Sequence, residues 1–226
     1  MKKREILMKI YFVRHGKTRW NQEGRYQGNG GDSPLLPQSY DDIACLANYL
    51  HNTTFKVLYT SPLKRARDTA LALQNDLGLN FPVFIDKRLC EFGLGQLEGM
   101  KFLQAEKRYP EQIKAFRDAP AQYDPSAFGG ESFSQVISRE RALVDELAKR
   151  YDQPTDRLIL VGHGAALCAL IRSLEGISLN DLRLRGGLAN ASLTVLQTDD
   201  LGATYKEIMW NQTDYLDRKL TAKDVI

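Results

Sequence analysis

Cysteine is scarce in this chain of 226 residues: Cys45, Cys90 and Cys168 are odd in number and stand at no metal-ligand spacing. Neither a disulfide framework nor a zinc site is supported, and reduced thiols are expected. Long apolar runs are also missing. The longest late one, 165–171, falls far short of the roughly 20 residues that a bilayer span needs, so no membrane association is expected. Residues 1–5 are basic but lead into only a short apolar stretch, which does not read as a cleavable leader, and a cytoplasmic location is expected. Nor does charge of one sign dominate: 31 Lys and Arg against 28 Asp and Glu leave +3, with the basic residues scattered. That argues against a nucleic-acid surface and leaves a small anionic ligand open. What is present is 43% hydrophobic residues, enough for one α/β domain over residues 1–226.

The chain is organised around residues 10–13, four apolar residues that read as a buried strand and end abruptly in Arg14-His15-Gly16. A parallel strand delivers the residues after it to the carboxyl edge of the sheet, where open α/β folds bind ligands. Residues 17–37, with Gly24, Gly28, Gly30, Gly31 and Pro34, read as a long loop over that edge. A helix is predicted over 39–50 with Ser39 or Asp41 as N-cap, then a strand at 56–60. A helix over 62–77 comes next, with Pro62 at its first position and Gly78 as its stop, and a third strand at 82–85. Such strand–helix repeats predict a parallel sheet. From 92 to 130 the pattern changes to glycines, scattered polar residues and prolines, which reads as an insertion. A helix over 132–151 with Ser132 as N-cap, a strand over 157–161, a helix over 165–174 and a hairpin of 191–197 with 204–210 complete the series.

The second strand to end in a histidine is 157–161, leading into Gly162-His163-Gly164. If the two strands are neighbours, His15 and His163 meet at one edge, whereas His51 sits in polar surroundings and reads as a surface residue. A metal is disfavoured, because Arg14 repels a cation and no zinc-like spacing exists. Arginine beside histidine points instead to phosphate, which a guanidinium grips with two parallel hydrogen bonds.

In these residues the chain resembles the histidine phosphatase superfamily, the phosphoglycerate-mutase-like proteins. The resemblance rests on Arg14-His15-Gly16 with Thr18 and Asn21, Arg25, Gln27-Gly28, Pro34-Leu35 and Ser61-Pro62-Leu63-Lys64-Arg65-Ala66 with Thr69. Glu91, Glu98-Gly99, Gly130-Glu131-Ser132 with Arg139, and Gly162-His163-Gly164 extend it over most of the chain. It implies a three-layer α/β/α sandwich, a mostly parallel sheet with an antiparallel edge strand, and a helical insertion over the active site. It implies His15 as a nucleophile forming a phosphohistidine, and Arg14, Arg65 and His163 as ligands of the phosphoryl oxygens. Glu91 would act as acid and base, which calls for a raised pKa in a partly desolvated pocket. Asn21, Thr18, Gln27, Gly28 and Gly164 would bind substrate or support the pocket, and Glu131-Ser132 reads as a capped helix start. The expected activity is metal-independent hydrolysis of a small phosphomonoester with no cofactor, an acid-type histidine phosphatase. Alternatives are a phosphoglycerate mutase or a non-catalytic phospho-ligand binder. No nucleic-acid partner is expected, and a homodimer is compatible. Mutases place Arg and a Tyr-Gly pair after the acid; here Glu91 is succeeded by Phe92-Gly93-Leu94-Gly95, which resembles the phosphatase branch.

Overall fold

A computed structural model describes residues 8–78 and 80–225, so the basic start at 1–5 lies outside the described residues. Six strands form one sheet: β1 (Met8–Arg14), β2 (Val57–Thr60), β3 (Val83–Ile85), β4 (Arg157–Gly162), β5 (Leu193–Thr198) and β6 (Lys206–Gln212). Their order is β3-β2-β4-β1-β5-β6. The first four are parallel; β5 runs antiparallel to both β1 and β6, forming the hairpin at one edge. The seven helices among the described residues are α1 (Arg19–Glu23), α2 (Pro37–Leu50), α3 (Lys64–Leu77), α4 (Phe102–Arg108), α5 (Pro110–Asp118), α6 (Phe133–Arg150) and α7 (Gly164–Leu174).

Alternation along β1 explains the layers. Ile10 and Phe12 point to a core shared with α6 and α7 through Leu143, Leu147, Leu167 and Leu170. Val13 points the other way, to Ile43 and Leu46 of α2 and Ala66, Ala70 and Leu73 of α3. Both faces are covered, which is why β1 and β4 read as continuous apolar runs rather than alternating ones. The expected three-layer α/β/α sandwich is therefore present. The stretch 92–130 builds a third apolar cluster, in which Phe92, Phe116 and Phe128 pack on Phe133 of α6 and Ala165, Ala166 of α7. Its helices α4 and α5 thus sit beside the carboxyl ends of the strands.

Helix starts depart from the sequence reading. α2 begins at Pro37, and Ser39 lies inside it, donating its hydroxyl to the Lys17 carbonyl at 2.7 Å instead of capping. Pro62 stands outside α3, whose N-cap is Leu63. In both cases a long-range contact, not the local capping chemistry, decides the first turn: Ser39 is held by Lys17, and the Lys64 amide donates to Asp32 at 2.6 Å. The loop 17–37 also contains the short helix α1, closed by a reciprocal cap between Thr18 and Asn21 and ended by Gly24 at φ 66°.

Candidate active site

The register of β1 against β4 builds the site. Arg14 lies opposite Gly162 in this parallel pair, so the next residues, His15 and His163, leave the sheet side by side. Their ring centroids are 5.2 Å apart, close to the strand spacing. His15 is buried, and its Nδ1 donates to the Gly16 carbonyl at 2.7 Å, which leaves Nε2 as the unprotonated nitrogen. Burial, and then the charges of Arg65 and Arg14, push its pKa well below the ordinary histidine value. The ring is therefore neutral near pH 7, the state in which Nε2 can attack phosphorus.

Around it stand N–H groups with no partner among the described residues. Arg14, 1% exposed, donates Nη1 to the carbonyls of Leu188 at 2.5 Å and Asp224 at 2.9 Å, while Nε and Nη2 remain unpaired. Burial lowers its pKa to about 10, so it stays charged at neutral pH. Arg65, equally buried, is fixed by Gly31 and Gly28 carbonyls, both at 2.9 Å, and by Asp32 at 3.2 Å, with Nε unpaired. His163 bonds through Nε2 to the Ser61 hydroxyl at 2.8 Å. The Ser61 hydroxyl also accepts from the Leu63 amide, and Nδ1 of His163 has no partner among the described residues. Burial and then Arg65 push His163 well below its ordinary pKa, so it too is neutral. Unpaired buried donors are costly, and here they converge on one place.

Glu91 lies where the turn after β3 meets the start of α7. Its Oε1 accepts from the amides of Phe92 and Ala166, both at 2.9 Å, and its Oε2 from Ala165 at 3.1 Å. The carboxylate thus sits on the N-terminus of α7, where the helix dipole favours it, and Oε2 keeps a lone pair. Arg139 braces the same turn, donating to the carbonyls of Arg88, Cys90 and Glu91 and pairing with Glu131, which in turn accepts from the Gly93 amide at 2.7 Å. Glu131 therefore holds the turn as well as preceding the Ser132 cap of α6.

Thr18, Gln27, Gly28 and Gly164 all lie around His15, Arg14 and Arg65. Thr18 is fully buried between Asn21 and the Gln27 side chain, at 3.0 and 2.8 Å. Gly28 accepts Arg65 through its carbonyl, and a Cβ there would come within 2.4 Å of the Phe92 carbonyl. Gly164 lies against Arg14: an added Cβ would be 2.9 Å from Nε. Because Nη1 of Arg14 is pinned at two carbonyls, Gly164→Ala is expected to displace the guanidinium and lower kcat/KM by about 10- to 100-fold. Its thermal midpoint should move by only about 2–4 °C, as read by a melt beside the kinetics. Equal activity would show that the guanidinium position is not critical.

Sequence reading gave no site role to several residues that surround the site. Asn190 donates to the His15 carbonyl and to Asn21 Oδ1, at 3.2 and 3.3 Å, and Ala191 adopts φ 54° beside it. Thr69 accepts from the Gly16 amide at 3.0 Å. Asp224, near the chain end, accepts from Lys17, Arg218 and Thr221. Burial pushes its carboxyl up, but the bonds from Arg218, Thr221 and Lys17 outweigh it and hold it well below the usual range. Of the three, Thr69 alone carried a signal, as part of the motif that contains Arg65; Asn190 and Asp224 have no local pattern. Among the described residues no group of three or more His, Cys, Asp or Glu side chains could hold a metal ion, and no helix is long and apolar enough to cross a membrane.

A histidine with a free Nε2, ringed by buried guanidinium and imidazole N–H groups at the carboxyl edge of an α/β sheet, defines a phosphoryl-binding class of site. The family model described as "Histidine phosphatase superfamily (branch 1)" matches residues 10–211, and the chain belongs to that superfamily. It is 32% identical to a glucosyl-3-phosphoglycerate phosphatase of Mycolicibacterium vanbaalenii, over 96% of this chain and 98% of the relative. It is 31% identical to a metal-independent phosphoserine phosphatase of Arabidopsis thaliana, over 84% of this chain and 76% of the relative. The solved structure of Bacillus stearothermophilus YhfR superposes with a TM-score of 0.84 at 28% identity, covering 93% of this chain and all of that one.

Proposed function

We propose that this chain is a phosphomonoesterase that passes the phosphoryl group of a small metabolite first to His15 and then to water, with no divalent metal. The observation that carries the reading is the fixed tautomer of His15, with Nε2 free inside a ring of unpaired donors. Nε2 attacks phosphorus in line; the P–N bond forms as the P–O bond to the alcohol breaks. Arg14, Arg65 and His163 match the charge of the three non-bridging oxygens through the transition state, with Asn21 at the rim. Glu91 enters the cycle as the protonated carboxyl and gives that proton to the leaving oxygen. It then takes one from the water that attacks the phosphohistidine, releasing inorganic phosphate and restoring neutral His15. Arginine charge here supplies the electrostatic work that Mg²⁺ performs in many phosphoryl-transfer enzymes. The relatives' names, which include hydrolases of phosphate esters and one metal-independent enzyme, support the same reading.

The test is a single assay on 3-phosphoglycerate in excess EDTA. Inorganic phosphate release is expected to exceed 2-phosphoglycerate formation, and 2,3-bisphosphoglycerate should not reverse the ratio. Rapid isomerisation with little phosphate release would establish a mutase, and activity restored only by Mg²⁺ or Zn²⁺ would overturn metal independence. The stretch from Glu91 to Met100 has three glycines and no cation, unlike the Arg and Tyr-Gly pair that mutases place after the acid.

A further inference from the structure

Arg183 lies after α7 in the segment leading to β5 and is 9% exposed, yet its Nε and Nη1 have no hydrogen-bond partner among the described residues. The thiol of Cys168 lies beside it, a weak acceptor without charge at neutral pH, and the Phe116 ring lies 5.8 Å from its Cζ. A cation–π contact contributes about 0.5–2 kcal/mol, less than a desolvated guanidinium requires. No ion pair with a described residue neutralises it.

Arg183 lines a cavity of about 400 Å³, walled by Tyr26, Phe102 and Phe116 and by Ala222 and Val225 near the chain end. Arg117 and Asp118 stand exposed at its mouth, and Arg117 is already paired with Glu106. The same three aromatic residues also line a narrow recess with Gln27, Glu91 and Ala165, so Arg183 and Glu91 share one aromatic wall. The leaving group must pass Glu91 in order to be protonated by it. Arg183 stands on that same wall.

We infer that Arg183 is the specificity-determining residue of this site and that it binds a carboxylate on the leaving group, which makes the substrate class phosphate esters of small hydroxy acids. The inference rests on the phosphomonoesterase reading. A carboxylate gives the unpaired guanidinium a partner that fits its planar fork, and the aromatic wall covers the carbon skeleton between the two anionic ends. The charge of Arg183 is also felt at Arg14, so the cavity and the phosphoryl site belong to one electrostatic field.

The experiment compares 3-phosphoglycerate with glycerol 3-phosphate, which replaces the carboxylate by a neutral hydroxymethyl group, in wild type, Arg183→Met and Arg183→Lys. Wild type is expected to favour 3-phosphoglycerate. Arg183→Met should reduce that preference by about 10- to 100-fold, mainly through KM, as loss of one charge-assisted hydrogen-bond pair implies. Arg183→Lys should restore part of it. Fructose 1,6-bisphosphate is the second-phosphate arm; a stronger response to Arg183→Met there than with 3-phosphoglycerate would replace the carboxylate by phosphate and overturn the assignment. Equal losses on both esters, or no wild-type preference, would overturn it too. p-Nitrophenyl phosphate turnover in each variant reports folding and tests the hydrolase reading separately. Should that reading fail, calorimetric binding of 3-phosphoglycerate against glycerol 3-phosphate to wild type and Arg183→Met decides the inference without turnover.

Discussion

His15→Ala is expected to lower kcat by about 10⁴-fold or more, the largest effect of any single substitution, because it removes the atom that accepts the phosphoryl group. The fold should survive. His15 is neutral, its Nδ1 bond runs to the adjacent Gly16 carbonyl, and its own backbone is held by Gly162, Asn190 and Ala191. Circular dichroism should be unaltered, and a thermal melt should shift by only a few degrees for the loss of about 1 kcal/mol. In wild type, rapid quenching with labelled substrate should trap a phosphoenzyme that acid cleaves and base does not. Label on Ser61 or Cys90 instead would refute the assignment. Ser61 is a pointed control, since its hydroxyl lies 2.8 Å from His163 and would be the nucleophile if that histidine were a base.

Glu91→Gln should cost about 10²- to 10⁴-fold on an alkyl phosphate, the range a positioned proton donor contributes. The loss should be about tenfold or less on p-nitrophenyl phosphate, whose leaving group departs as the anion, while phosphoenzyme formation limits the rate. The contrast separates proton donation from mere shape. A glutamine can still place its oxygen on the amides of Phe92 and Ala166, but its NH₂ would then face the Ala165 amide. Stability should therefore fall by about 1–3 kcal/mol, equally for both assays. Equal activity losses on the two substrates would assign Glu91 to structure alone.

Much of the site was legible because its residues sit at the ends of patterned elements. Residues 10–13 and 158–161 are apolar on both faces, and such runs predict buried parallel strands wherever they occur. The residues just past the end of a parallel strand arrive at the ligand edge. Helix starts were less legible: Ser39 carries every local credential of an N-cap and caps nothing, because the Lys17 carbonyl takes its hydroxyl. Likewise the reading of 17–37 as loop overlooked α1, whose five residues are too few for a periodic signal.

The sequence by itself determined the α/β class and the succession of strands, and it singled out His15, Arg14, Arg65, Glu91 and His163 as candidates, because strand ends and family motifs are patterns that side chains carry locally. Tertiary structure alone decided how those groups are held and aimed. The Arg14 guanidinium is fixed by the Asp224 carbonyl 210 positions away, and Asn190 reaches back 175 positions to the His15 carbonyl. Arg183, whose Nε and Nη1 have no partner among the described residues, lies in a stretch with no motif at all. Backbone carbonyls and apolar walls carry no side-chain signature, so the contacts they make across the sheet edge exist only once the chain has closed on itself.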